Sequence, residues 1–159
     1  DVLHDIALID VAVSGAHFVG ARAIWDIRTM SELFLTSASP YSIGLSSIGG
    51  WIRPISIEEP TGMYLRFGHG GLDVKAPVAP GLVDVVPVAE WRLMALDEHM
   101  VLCAKSCTIA LDGERQFPVR SEQTVQVRLN REGPWVVDIE KTLQLAANAG
   151  AFARDQLPA

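Results

Sequence analysis

The sequence predicts a mainly β domain, a sandwich or a closed sheet, with two short helices. Three observations carry that reading. Short runs rich in Val, Ile and Leu recur between turn residues along most of the chain, the pattern of many short strands. The dipeptide Asp112-Gly113 sits between two strand-like runs, and a tight Asp-Gly loop needs φ > 0 at both positions, as in a type I′ hairpin. Residues 123–129, Gln-Thr-Val-Gln-Val-Arg-Leu, alternate polar with apolar, so that strand has one wet face.

The elements follow in order. Strands are expected at residues 6–14, 19–25, 63–67, 72–76, 83–91, 100–103, 107–111, 116–119, 125–130 and 135–138. Between 67 and 72 the run Gly68-His69-Gly70-Gly71 reads as a flexible loop. Pro87 makes the strand at 83–91 either an edge strand or one interrupted there. One helix is expected at 27–36, capped by Asp26 and burying Met30, Leu33 and Phe34 at three- and four-residue spacing. A second spans 139–149, capped by Asp138, with Ile139, Leu143, Ala146 and Ala147 as its apolar stripe and Gly150 as its stop. The expected domain covers residues 1–153, with a flexible tail at 154–159.

Composition narrows the function. With 159 residues, 49% hydrophobic and 20% charged, the chain is globular rather than disordered. A net charge of -6 and only three lysines argue against nucleic acid as a partner. No apolar stretch is long enough for a membrane span. Cys103 and Cys107 are the only cysteines, so two reduced thiols in a cytoplasmic protein are expected. His99, Cys103 and Cys107 share a four-residue spacing that aligns ligands only on a helix, and a closed zinc site needs a fourth ligand. No metal site is assigned to them. The chain starts at Asp1 and enters an apolar run almost at once, which suggests a fragment or a processed chain, with an upstream domain expected to be missing.

Four segments carry the candidate chemistry. Residues 7–13, Ala-Leu-Ile-Asp-Val-Ala-Val, place Asp10 on a strand, where it reads equally well as a plain strand-edge carboxylate. Residues 39–50 are rich in Ser and Gly and end in Gly49-Gly50. Small residues there let a backbone approach a ligand, and Ser46 and Ser47 offer hydroxyls. Taken alone, the segment is an ordinary turn. Residues 76–82, Ala-Pro-Val-Ala-Pro-Gly-Leu, set a rigid extended path. The turn Asp112-Gly113-Glu114, taken alone a plain hairpin, carries two carboxylates, and it resembles a nucleotide-facing turn that holds carboxylates beside phosphates and their Mg²⁺.

In this order the four segments resemble the C-terminal domain of the ATP-NAD kinase-like family, within the NAD kinase and diacylglycerol kinase superfamily. The branch they look like is that of the acetoin catabolism protein X, through residues 10–13, 18–23, 77–82 and 110–115. The resemblance implies a β-sandwich-like domain of the NAD kinase type. It implies NAD and ATP with Mg²⁺ as cofactors, and Ser46, Ser47, Gly49, Gly50, Asp10, Asp112 and Glu114 as nucleotide contacts. The expected partners are a nucleotide, the missing N-terminal domain and further copies of the chain. The family's Asn-Glu pair is replaced by Ile9 and Asp10, and its Gly-Gly-Asp-Gly-Thr phosphate loop is absent. Catalysis of phosphoryl transfer rests on positioning and charge stabilisation around the triphosphate, so the chain alone is not expected to be a kinase. The alternative is a non-catalytic β domain for oligomer assembly or ligand sensing in an acetoin-type catabolic pathway. No Gly-x-Ser-x-Gly elbow is present, and Trp25, Trp51, Trp91 and Trp135 read as core or interface anchors.

Overall fold

The computed structural model describes residues 2–15 and 27–153. The strand expected at 19–25, the cap Asp26 and the tail at 154–159 lie outside the described residues. Six strands form one antiparallel sheet. They are β1 (Asp10–Ser14), β2 (Met30–Leu35), β3 (Thr61–Ala79), β4 (Leu82–Ala95), β6 (Cys107–Leu111) and β7 (Arg115–Val119), in the order β4-β3-β2-β1-β6-β7. Between β4 and β6 lies β5 (His99–Val101), which pairs with β8 (Gln126–Arg128) as a separate two-stranded ribbon. Helix α1 covers Leu45–Ile52 and helix α2 covers Ile139–Asn148.

The helix expected at 27–36 is instead a short 3-10 turn, Ile27–Thr29, leading into β2. β2 lies between β1 and β3, and both its faces are covered. Four of its six residues are therefore apolar, and Met30, Leu33 and Phe34 fit a helical stripe by coincidence. In fact Leu33 and Leu35 point to one side and Phe34 to the other.

The expected loop at 68–71 is part of one long strand. β3 pairs with β4 from Thr61↔Ala95 to Ala79↔Leu82, with its register shifting between Phe67 and Leu72. Gly68 and Gly70 have φ of 135° and 99°, so the glycines make an irregular bend rather than a break. That bend positions α1. The helix is only about 12 Å long, yet Gly49 packs beside Met63 while the Gly44 N–H donates to Pro77 O at 2.9 Å. In a straight strand Met63 and Pro77 would lie roughly 46 Å apart. The outer half of the hairpin must therefore turn back towards the start of β3. Pro87 does lie on an edge strand, since β4 ends the sheet.

Each face of the sheet has its own core. Ala12, Leu33, Leu35, Met63, Leu65 and Ala110 meet Val74, Val78, Val86 and Val88 of the turned-back hairpin and Leu45 and Ile48 of α1. On the other face Val13, Phe34, Tyr64, Ile109 and Leu111 meet Leu102 and the ribbon residues Met100 and Val127. Full burial of each large side chain contributes about 1.5–3 kcal/mol. Phe34 and Tyr64, cross-strand partners, meet in a tilted pair with ring centroids 5.1 Å apart.

Residues 135–138 form no strand, and Trp135, Val136 and Val137 are exposed. α2 is capped as expected: Asp138 accepts from the Lys141 N–H at 2.9 Å, and Gly150 follows with φ 71°.

Candidate functional site

β1 and β6 pair side by side, with Val11 opposite Leu111. That register puts Asp10 next to the turn after β6. Asp112 and Gly113 have φ of 54° and 67°, and the Glu114 N–H closes on Leu111 O at 3.0 Å, which is the type I′ geometry expected. The ladder resumes at Leu111↔Arg115, so the loop holds three residues rather than two. Glu114 is exposed on this turn.

The two aspartates behave differently. The Asp112 carboxylate accepts from the backbone N–H groups of Leu8 (2.8 and 3.0 Å), Ile9 (2.6 Å) and Asp10 (3.1 Å). Burial works to raise its pKa, but those three donors and the Arg115 charge outweigh it and hold the group below the usual aspartate value. Arg115 itself pairs with Asp5 and donates to Ile6 O. Asp112 thus pins the entry into β1. Asp10 has no such support. Its Oδ1 is enclosed without a hydrogen-bond partner, and burial, then the Asp112 charge, push its pKa up to about 6.

Ser46, Ser47, Gly49 and Gly50 do not form an open loop; all four lie in α1. A Cβ at Gly49 would come within 2.6 Å of Leu35 Cδ1 and 3.1 Å of Ala38 Cβ. At Gly50 it would come within 2.2 Å of the Ser39 carbonyl carbon. The space beside these glycines is taken by the chain's own neighbours. Ser47 is fully buried, its hydroxyl donating to Gly44 O at 2.6 Å. Ser46 is half-buried and donates to Ser37 O at 3.3 Å.

A hydrogen-bond path still joins the two groups of candidates. Asp112 holds Leu8 and Ile9, the Thr36 hydroxyl donates to Leu8 O (2.9 Å) and Ile9 O (3.2 Å), and neighbouring Ser37 receives Ser46. The structure therefore brings Asp10, Asp112 and Ser46 to one end of the sheet and leaves Gly49 and Gly50 on the packed side of the helix.

Sequence reasoning missed a buried polar cluster on the second face. Glu32, 1% exposed, accepts from the N–H groups of Cys103 (3.0 Å) and Ala104 (3.1 Å) and from the Tyr64 hydroxyl (3.1 Å). Burial and the Glu32 charge raise the Tyr64 pKa. Cys103 Sγ lies 4.0 Å from the Tyr64 hydroxyl. The available signal was a lone carboxylate inside the apolar run of β2. Among the described residues, no three His, Cys, Asp or Glu side chains gather closely enough to hold a metal ion. No helix among them is long and apolar enough to cross a membrane.

On the first face, beyond α1, lies an open groove of about 700 Å³ lined by Trp51, Ile52, Leu72, Val83 and Trp91, with Asp73 and Lys75 among its polar residues. Trp51 and Val83 are more than half exposed.

A model of the acetoin catabolism protein X C-terminal domain matches residues 1–132. The acetoin catabolism protein X of Cupriavidus necator is 36% identical over 145 residues, covering 89% of this chain and 40% of that protein. The chain thus spans well under half the length of this curated relative. No solved structure matches it. On the extent of both matches, the chain belongs to the family of acetoin catabolism protein X C-terminal domains.

Proposed function

We propose that the chain is the ligand-holding, non-catalytic part of an ATP-NAD kinase-like protein acting in acetoin catabolism, and that Asp10 is its contact with a nucleotide. Asp10 carries the reading: its carboxyl is half-buried, has one oxygen enclosed without a partner, and holds its proton up to about pH 6. A carboxylate short of donors gains most from a hydroxyl or cation that reaches its other oxygen. A ribose diol or a nucleotide's Mg²⁺ supplies such a group. Ser46, at the same sheet end, is the second contact, and exposed Glu114 a third. Gly49 and Gly50 act only by letting α1 sit close to β2 and residues 38–39. The Gly-Gly-Asp-Gly-Thr loop is absent from this chain, so phosphoryl transfer from ATP to NAD needs a further domain.

Calorimetric titration of the chain and of Asp10→Ala with NAD and with ATP plus Mg²⁺ tests this. Binding by the parent chain that weakens at least tenfold in the variant is expected, together with no NADP formed by either. Equal affinities would remove Asp10 from the site. Absence of binding in both would favour the second reading, a domain for assembly, which the exposed Trp51–Trp91 groove supports.

A further inference from the structure

Five large apolar side chains stand in the open around one end of the sheet. Leu8 and Ile9 are half exposed, Ile43 is 60% exposed, Ile57 83% and Tyr41 90%. All five are held around residues 36–39, the stretch that continues β2 past Leu35. The Thr36 hydroxyl donates to the Leu8 and Ile9 carbonyls at 2.9 and 3.2 Å. Ser39 O accepts from the Ser42 N–H at 3.2 Å, which closes the turn carrying Tyr41, with Ile43 just beyond it. Ala38 bridges Ile55, two residues before Ile57. Local bonding fixes these backbones while their side chains stay in water, and an apolar cluster of this kind marks an interaction surface.

The charges beside this rim are largely matched within the chain. Asp112 is bonded to the amides of residues 8–10, Arg115 pairs with Asp5, and Glu59 pairs with Arg53. Glu58, next to Ile57, is exposed. The rim therefore fits a partner whose own face is apolar.

The kind of partner follows from the relative. The matched family is that of a C-terminal domain, and the match covers 40% of the Cupriavidus necator protein. Most of that relative thus lies outside the match and, by the family's description, ahead of it. A domain ahead of this chain is tied to it through residues 2–9, which form no helix or strand and end in the rim residues Leu8 and Ile9. A short tether gives an effective concentration on the order of millimolar, so a modest apolar contact is enough to stay closed. Neither the Trp51–Trp91 groove nor α2 has such a link.

We infer that this rim is the seat of a preceding domain of the same polypeptide, which covers Leu8, Ile9, Tyr41, Ile43 and Ile57 with an apolar face. The seat holds whether or not Asp10 meets a nucleotide.

Hydrogen–deuterium exchange read by mass spectrometry, on the longer protein and on residues 1–159, tests it. No nucleotide is present, so failure here leaves the Asp10 reading standing. Peptides covering residues 2–7 and 40–44 should exchange roughly tenfold more slowly, or slower still, in the longer protein. Leu8→Glu and Tyr41→Glu in the longer protein should each restore fast exchange across the rim with unchanged circular dichroism, because both side chains are exposed in this chain. If either fails to fold, Ile57→Glu probes the rim from another segment. Equal rates at the rim would overturn the proposal, as would protection confined to the groove or to α2. So would an encoded protein with no domain ahead of this chain. Rim protection in residues 1–159 alone that grows with concentration would also overturn it, because a second copy would then be the occupant.

Discussion

The Tyr64 hydroxyl donates to Glu32 Oε2 at 3.1 Å inside the second core, between two neighbouring strands. With the amides of Cys103 and Ala104 it gives a nearly inaccessible carboxylate three donors. The pair ties β2 and β3 to the 102–106 segment that feeds β6.

Tyr64→Phe removes one donor while keeping the ring that meets Phe34. An under-bonded buried carboxylate costs about 1–3 kcal/mol. The midpoint of urea unfolding should fall by the corresponding amount with an unchanged slope. An unaltered midpoint would show that Glu32 does not depend on this hydroxyl.

Asp10 and Asp112 make opposite contributions to stability as pH changes. The Asp10 carboxyl titrates near 6 when folded and near 3.8 when unfolded, so the folded state holds its proton more tightly. That contribution is fully present below about pH 4 and is lost as pH rises through 6, by up to about 3 kcal/mol. Asp112 is held below its ordinary value, so its contribution is present above about pH 4 and lost as pH falls further. Asp10→Asn should therefore flatten the decline between pH 4 and 7 in a series of thermal melts. Asp112→Asn should lower the melting temperature most at neutral pH, where the charge-assisted bonds to residues 8–10 are intact. A parallel pH profile for parent and Asp10→Asn would contradict the raised pKa.

Gly49 and Gly50 should differ in what they tolerate. An added methyl at Gly50 meets the Ser39 and Pro40 backbone at 2.2–2.5 Å, whereas at Gly49 it meets mostly side-chain atoms of Leu35 and Met63. Side-chain ends can move; backbone there cannot without moving α1. Gly50→Ala should cost more than the roughly 1–3 kcal/mol typical of overpacking, and Gly49→Ala no more than that. Reversal of this order by denaturant titration would mean α1 sits differently on the sheet.

The sequence by itself determined what depends on local chemistry. The Asp112-Gly113 turn follows from φ > 0 at both positions, the α2 cap from the Asp138 carboxylate, and an edge or an interruption at Pro87 from its lack of an N–H. The resemblance to the acetoin catabolism protein X branch was legible as well, because short motifs keep their order along the chain. Only the tertiary structure decided whether Met30–Leu35 is helix or strand, since a segment covered on both faces loses the period that tells them apart. It also decided the fate of Gly49-Gly50: small residues permit close approach, and the fold spends that approach on Leu35, Ala38 and Ser39. The burial of Glu32 and the isolation of Asp10 Oδ1 arise from which strands become neighbours. The register between β1 and β6 joins residues a hundred positions apart, and no local pattern in either segment encodes it.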